Sequence, residues 1–508
     1  MEAIRSGEFK AAARAHAMDL VAAALLLFCT SIMAGRVWRF PFDDEVFELT
    51  VIGRPSMLDV LRFSLNGGDN HPPIPHLVFH ALQQLGFGPA GMRLCSLAAT
   101  ALSLALFQVL TLIAIRRRNG AAVPPSTRIM AVLLFGLSPL GIGQGDALRW
   151  YPMFALMIAL FLVMYLAPGR GVRLASAIPL GLAASTSFLA VVVAVPFLVH
   201  RYLLERAFSR KLDAAYWAIV LVLAAPGLVS AYAIATHKLA VVAAGELEHN
   251  LLRSAAVLAL GFFGGGTVGV GDAWILAPVG LITLAALRAE IDRAHPANPT
   301  HLLLLTFVSA ALMIPVGLDR GRAFLYLAPL LASLLTLFLD RGARERSVGA
   351  TALFLALVLL PGLAVAATAN YGTRPFKRNA VIPYAEIVDF IRTNEQGDTL
   401  VVSSDKPLVW VLDHEAASPH RCVSYFMQRR DCFAPDRRYD SLFIISGHSD
   451  RSRNAAYMRL IGEKIAEITT GRNKIAELHA GVDKDAALKR RLTGVALDEF
   501  ILSVDLYR

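Results

Sequence analysis

Charge is scarce in this chain. Only 17% of its 508 residues are Asp, Glu, Lys or Arg, and 56% are hydrophobic. Soluble domains carry roughly 25% charge, so the composition excludes an ordinary soluble protein and indicates an integral membrane one. Cysteine is scarce as well. Four residues are too few for a disulfide-rich secreted scaffold. No internal repeat or low-complexity segment stands out, and nothing resembles a nucleic-acid module. The net charge of +10 therefore calls for another explanation. Much of the Lys and Arg sits in short loops between apolar segments, which is the topology signal of a membrane protein.

Apolar runs able to span recur from Leu20–Ala34 to Val348–Ala367. Between them lie Leu94–Ile115, Ile129–Ile142, Met153–Ala167, Leu174–Ser185, Phe188–Leu203, Tyr216–Ile234, Trp274–Leu287, Leu302–Val316 and Phe324–Leu339. Several fall short of the ~20 residues a span needs, so their ends extend into flanking polar residues. Arg5, Lys10 and Arg14 precede the first run and place the N-terminus in the cytoplasm. A cleavable signal peptide competes at this end, but the preceding polar region is long and no clean small-x-small site follows.

Two weaker runs, Pro72–Leu85 and Leu251–Phe263, are decided by charge. If neither spans, Arg116–Arg118, Arg170 with Arg173, Arg201 to Lys211, Arg288 with Arg293, and Arg341 to Arg346 all face the cytoplasm. Both are therefore read as interfacial or re-entrant helices. The result is about 11 transmembrane helices in residues 1–369, a first outer loop over 37–90, and a C-terminus outside.

From residue 370 the chain becomes charged. A helix-like run, Tyr384–Thr393, precedes strand-like runs at Thr399–Ser403, Leu442–Ser446 and Phe500–Val504. Residues 370–508 thus read as a small α/β domain outside the membrane. In that setting Cys422 and Cys432 are expected to pair as a disulfide. Cys29 and Cys95 lie in apolar segments and read as packing residues.

On the outer side stand "FDDEVFE" (Phe42–Glu48), "GGDNHPPIPHLVFH" (Gly67–His80), "SPLGIGQGDALRWYPM" (Ser138–Met153) and "GLDRGRAFLYLAP" (Gly317–Pro329). Singly, each has a bland reading. Asp43, Asp44 and Glu45 suit a solvated loop. His71 before two prolines suits a helix start. Arg149, Arg320 and Arg322 suit interfacial anchors. Together they set an acidic cluster, a histidine and two arginine sites on one face. A carboxylate can act as general base, and Arg binds phosphate through charge-assisted hydrogen bonds. That combination suggests transfer of a group carried on a lipid phosphate.

These motifs resemble the GT-C integral-membrane glycosyltransferases. The likeness is to the polyprenyl-phosphate-sugar branch that includes protein O-mannosyltransferases and the lipid A aminoarabinose transferase. That branch has an Asp-Glu pair after its first span, here Asp44-Glu45. It has a "HPPL"-like motif, here His71-Pro72-Pro73-Ile74, and an Arg near the second span, here Arg93. Gln144, Arg149 and Tyr151 match a "SQEARMYAL" turn, and Arg322 and Pro329 a later "R-Y-L-x-x-x-P" stretch. Asp146 and Pro152 depart from that turn.

The resemblance implies a GT-C fold and a polyprenyl-phosphate-sugar donor. It implies inverting transfer to a hydroxyl of a glycan, lipid or protein, at the periplasmic face of a bacterial-type inner (plasma) membrane. Asp44 would be the base, with Asp43 its alternative and Glu45 in support. Arg149, Arg322, Arg320 and His71 would hold the donor phosphate, with Asp69, Asn70, Gln144, Tyr151 and Arg93 supporting. A divalent metal is possible but not implied. His71, His76 and His80 are spaced as on one helix face, for which a satisfied amphipathic helix is the simpler reading. Gly261–Gly271 reads either as a flexible loop or as part of a groove for the prenyl chain. The rival readings are a lipid-linked sugar flippase, whose charges belong near the bilayer midplane, and a polysaccharide polymerase or ligase.

Overall fold

The computed structural model describes residues 2–35, 37–38, 43–69, 71–119, 132, 136, 145–205, 210–242, 336, 384–403, 405–425, 429–433, 437–447, 462–463, 465–480 and 502–508. The runs at Ile129–Ile142, Leu251–Phe263, Gly261–Gly271 and beyond to Ala367 lie wholly or mostly outside them. The chain divides into two compact units. One joins Met1–Val37 to Glu48–Tyr371, and the other joins Trp38–Phe47 to Gly372–Arg508. The boundary near residue 371 falls where the composition changes, but residues 38–47 group with the C-terminal unit rather than with the rest of their loop.

Along the chain, α1 (Glu2–Ala34) leads to three short helices, α2 (Asp43–Ile52), which the unit boundary divides at Glu48, α3 (Met57–Leu65) and α4 (Ile74–Gln84). Then follow α5 (Pro89–Asn119), α6 (Trp150–Leu166), α7 (Arg170–Ala175), α8 (Ala177–Ala184), α9 (Ala190–Val199) and α10 (Arg210–Val242). Within α5 and α10, Pro89–Arg116 and Lys211–Thr236 are long and apolar enough to cross a membrane. The segments Asp19–Ala34 and Trp150–Leu166 are apolar but shorter. Much of α10's apolar surface points outward, with Leu221, Val222, Leu228 and Val229 more than half exposed. Bilayer rather than water is the solvent that face suits.

Leu174–Ser185 and Phe188–Leu203 are built from short helices with a turn between α8 and α9. The turn is fixed by hydroxyl groups: Ser185 Oγ donates to the Leu223 carbonyl at 2.6 Å and accepts from the Gly227 N–H at 3.2 Å. Gly227 is required here, because a Cβ would stand 2.3 Å from the Ala184 carbonyl oxygen. Arg201, expected as a cytoplasmic loop charge, is buried. It pairs with Asp213, Nε donating at 3.0 Å, and stacks over Tyr216 at 4.2 Å.

The C-terminal unit is a five-stranded mixed sheet in the order β2-β1-β3-β5-β4. Its strands are β1 (Thr399–Ser403), β2 (Arg421–Tyr425), β3 (Ser441–Gly447), β4 (Lys474–Ala480) and β5 (Leu502–Tyr507). β1 pairs in parallel with β2 and β3, while β5 runs antiparallel to β3 and β4. Side chains alternate along each strand and sort into two cores. Val401, Val423, Phe443, Ile445, Val504 and Leu506 pack with α11 (Tyr384–Asn394) on one face. Leu400, Val402, Leu442 and Ile444 fill the other, with Cys422 and Cys432. The third expected strand is described from Leu502, with Phe500 and Ile501 outside the described residues.

Cys422, on β2, and Cys432 form a disulfide, with Cα atoms 5.7 Å apart and a sequence separation of 10. A loop of that length contributes about 2–3 kcal/mol. Treating the full chain with reductant, or making Cys422→Ser/Cys432→Ser, should lower the melting temperature of the C-terminal unit. Equal protease resistance on heating with and without reductant would show that the bridge contributes nothing.

Candidate active site

The first loop is a stack of helices. Asp43, Asp44 and Glu45 form the first turn of α2, where carboxylates are favoured by the positive end of the helix dipole. Their backbone is therefore helical, and Glu45 is fully buried. Ser56 caps α3 by accepting from the Asp59 N–H at 3.1 Å. Pro73 and Pro75 stand at the start of α4, where a missing N–H costs nothing.

These helices are pinned to the spanning ones by backbone bonds. The Ile74 N–H donates to the Ser185 carbonyl at 3.1 Å. Ser230 Oγ of α10 donates to the Ser64 carbonyl at 3.0 Å. Arg93, buried in α5, donates from Nη1 to the Val37 carbonyl at 2.8 Å. Its part is to tie the second span to the end of the first.

That cluster is a buried chain of four ionisable groups. His76 of α4 places Nδ1 2.6 Å from Glu48 Oε1 and Nε2 3.0 Å from Asp69 Oδ2. Arg149 donates from Nη1 to Glu48 Oε2 at 3.2 Å. Glu48 and His76 are 1% exposed, Arg149 5% and Asp69 7%. One turn further along α4, His80 Nδ1 donates to the Ile52 carbonyl at 2.7 Å. Two histidines four residues apart thus dock onto two positions four residues apart on α2.

Because both His76 nitrogens face carboxylates, only the doubly protonated ring can donate to both. Burial disfavours that charge. The charge of Glu48 and the bonds from Asp69 and Glu48 outweigh it and hold the pKa up at about 9. Burial also pushes against ionised Asp69. The bond from His76 and the positive charges of His71, Arg149 and His76 hold its carboxyl well below the usual range. With all four groups charged, the chain Asp69–His76–Glu48–Arg149 sums to zero. Buried ions persist only when paired in this way.

Arg149 is the N-cap of α6, so its guanidinium charge adds to the positive end of a 17-residue helix. Trp150 follows, packed against His71 and Tyr151 with ring centroids 5.0 and 4.6 Å away. Thr100 Oγ1 of α5 donates to the Gly145 carbonyl at 2.7 Å and fixes the approach to this helix. The arrangement presents a rigid, helix-assisted cation beside an aromatic wall, which suits an oxyanion.

The sequence matches no protein-family model and no curated protein. Solved structures do resemble this one. The crystal structure of ArnT from Cupriavidus metallidurans bound to undecaprenyl phosphate aligns with a TM-score of 0.56 at 13% identity, over 96% of this chain and 97% of that one. Its apo state aligns with a TM-score of 0.56 at 14% identity, over 97% and 98%. The chain has the GT-C fold. Arabinofuranosyltransferase AftD from Mycobacteria aligns with a TM-score of 0.46 at 18% identity, over 97% of this chain but 40% of that one. The mean hydropathy of +0.54 is in keeping with a membrane protein.

The described residues bring together Asp69, His71, Arg149 and Tyr151 of the expected set. Asn70, Gln144, Arg320 and Arg322 lie outside the described residues. Asp43 and Asp44 are placed on α2 by backbone alone. Two members of the cluster, Glu48 and His76, carried no expected role. Their signal is faint but present, because Glu48 stands four residues after Asp44 and His76 four before His80, each a helical repeat.

Metal ligation finds little support among the described residues. His76 and His80 both spend Nδ1 on protein partners. The grouping of Cys422, Asp431 and Cys432 within 4.8 Å offers no thiolate, since both sulfurs are in the disulfide.

Proposed function

We propose that this chain transfers a sugar from a polyprenyl-phosphate carrier to a hydroxyl acceptor, at the membrane face away from the cytoplasm. The observation that carries the reading is Arg149, a buried guanidinium held by Glu48 at the N-terminus of α6. Such a cation is preorganised for a phosphate. The likeness to a protein crystallised with undecaprenyl phosphate supports a polyprenyl-phosphate donor. The disulfide supports an oxidising compartment for the C-terminal unit, with the N-terminus in the cytoplasm.

In the proposed step, Asp44 takes the proton of the acceptor hydroxyl. The hydroxyl oxygen attacks the anomeric carbon opposite the phosphate, and the bond from that carbon to the phosphate oxygen breaks. Its electron pair leaves with the polyprenyl phosphate, and the configuration inverts. Charge grows on the departing phosphate, so a fixed Arg149 stabilises the transition state more than the ground state. One carboxylate suffices, because the phosphate is a stable anion. Glycoside hydrolysis, by contrast, needs a second carboxyl to protonate its leaving group. Arg322, Arg320 and His71 complete the donor site in this reading.

The test is turnover by the full-length protein in detergent. A panel of polyprenyl-phosphate sugars is supplied with envelope lipid, polysaccharide and protein fractions. Acceptor-dependent release of polyprenyl phosphate is the expected result. Transmembrane movement of the lipid-linked sugar in proteoliposomes without its cleavage would replace this reading with the flippase.

A further inference from the structure

A second charged feature of the first loop lies apart from the buried cluster. Between the end of α2 and the body of α3 is an open cleft of about 520 Å³, lined by Arg54, Asp59, Arg62, Phe63, Asn66 and Gly68. Two guanidinium groups face it with a single carboxylate. That carboxylate is engaged, since Ser56 Oγ–H donates to Asp59 Oδ2 at 2.6 Å as part of the α3 cap. Arg54 is held in place, its guanidinium stacked over the Phe63 ring at 4.2 Å. Gly68 lets that ring sit where it does, because a Cβ there would meet the ring carbons at 2.4–2.6 Å.

Arg54 Nε is buried and has no hydrogen-bond partner among the described residues. A buried N–H without an acceptor is unfavourable, and native structures rarely leave one so. An oxygen arriving from outside the chain would satisfy it. The start of α3, the helix that lines the cleft, points to what carries that oxygen. Met57 and Leu58, in the first turn of α3, are 48% and 51% exposed. Cationic groups beside exposed aliphatic ones form the pattern of a helix lying at a headgroup boundary, and this chain has a membrane fold.

We propose that the Arg54–Arg62 cleft binds the headgroup of an anionic phospholipid, its phosphate oxygen accepting from Arg54 Nε and its acyl chains lying against Met57 and Leu58. The site holds the first loop against the bilayer surface. It does not depend on the chain being a glycosyltransferase.

Native mass spectrometry of the full-length protein in micelles, titrated with phosphatidylglycerol or phosphatidylcholine, tests this. Phosphatidylglycerol is expected to bind with a clear preference that falls with added salt. Arg54→Gln/Arg62→Gln should weaken it roughly 10- to 30-fold, as expected for two basic residues at a lipid surface. Because a misfolded loop could mimic that loss, Asp59→Asn is the second variant. It removes the opposing charge and should tighten binding about five-fold. Equal binding of the two lipids, or an unchanged preference in both variants, would overturn the proposal. So would inorganic phosphate at millimolar concentration displacing the lipid completely, because the site would then be one for a free anion.

Discussion

Asp44→Asn is expected to lower sugar transfer by about 10²–10⁴-fold, the range for losing a general base, while the donor still binds. The substitution keeps the side chain's shape and removes its ability to take a proton. Register on α2 favours Asp44 over Asp43. Asp44 precedes Glu48 by four residues, close to one helical turn, so the two share a face. Glu48 is the residue that grips Arg149. Asp43 is rotated about 100° from Asp44 and about 140° from Glu48, away from that face. Asp43→Asn is therefore expected to stay within a few-fold of the native rate. Transfer is measured as polyprenyl phosphate released per enzyme at saturating donor, with donor KM followed separately. If Asp43→Asn abolishes transfer and Asp44→Asn does not, the base is Asp43. If both retain full rate, the carboxylate mechanism is wrong.

The fold was largely visible in the sequence where burial imposes a pattern, and less so where pairing alone decides. β1 and β3 are buried on both faces and read as unbroken apolar runs, and α11 shows a helical period. β4, "KIAELHA", was not legible. It lies at the edge of the sheet, pairs only with β5, and is built from Lys, Ala, Glu and Leu, residues that favour helix. Tertiary pairing overrides that preference. β2 was missed because it is short and half polar.

The candidate site divides in the same way. Its residue types stood out because acids and arginines are rare beside apolar spans. Acids after a span are ambiguous, however, since a solvated loop and a helix N-terminus use the same residues. The contacts that organise the site were not legible at all. Glu48 meets His76 across 28 residues and Arg149 across 101, and only the stacking of α2, α4 and α6 brings them together. A motif names a residue that faces substrate more readily than the one that holds it in place.

Arg149→Lys is expected to cost about 10²–10³ in kcat, the typical loss for one preorganised donor to a developing oxyanion. Charge is retained, so a role in simple attraction would leave the rate nearly unchanged. What lysine lacks is the planar fork that can bond Glu48 and a phosphate at once. Glu48→Gln should reproduce part of this loss without touching substrate, because the guanidinium then loses its charged anchor.

The same chain of groups predicts a pH limit. The folded pKa of His76, about 9, lies above its ordinary 6.5. Its pairing therefore stabilises fully below about 6.5 and is lost as pH rises through about 9. Asp69 is shifted downward, so its share is present above its ordinary 3.8 and lost as pH falls further. Melting temperature in detergent should thus be highest between about pH 4 and 6.5 as far as these two groups decide it, and decline toward pH 9. Replacing His76 by glutamine leaves Glu48 and Asp69 without the cation between them, a change costing roughly 3–5 kcal/mol for a broken buried pair. It should also abolish the alkaline decline that His76 causes. A His76→Gln protein with the native melting profile from pH 6 to 10 would show that the imidazolium does not hold this cluster together.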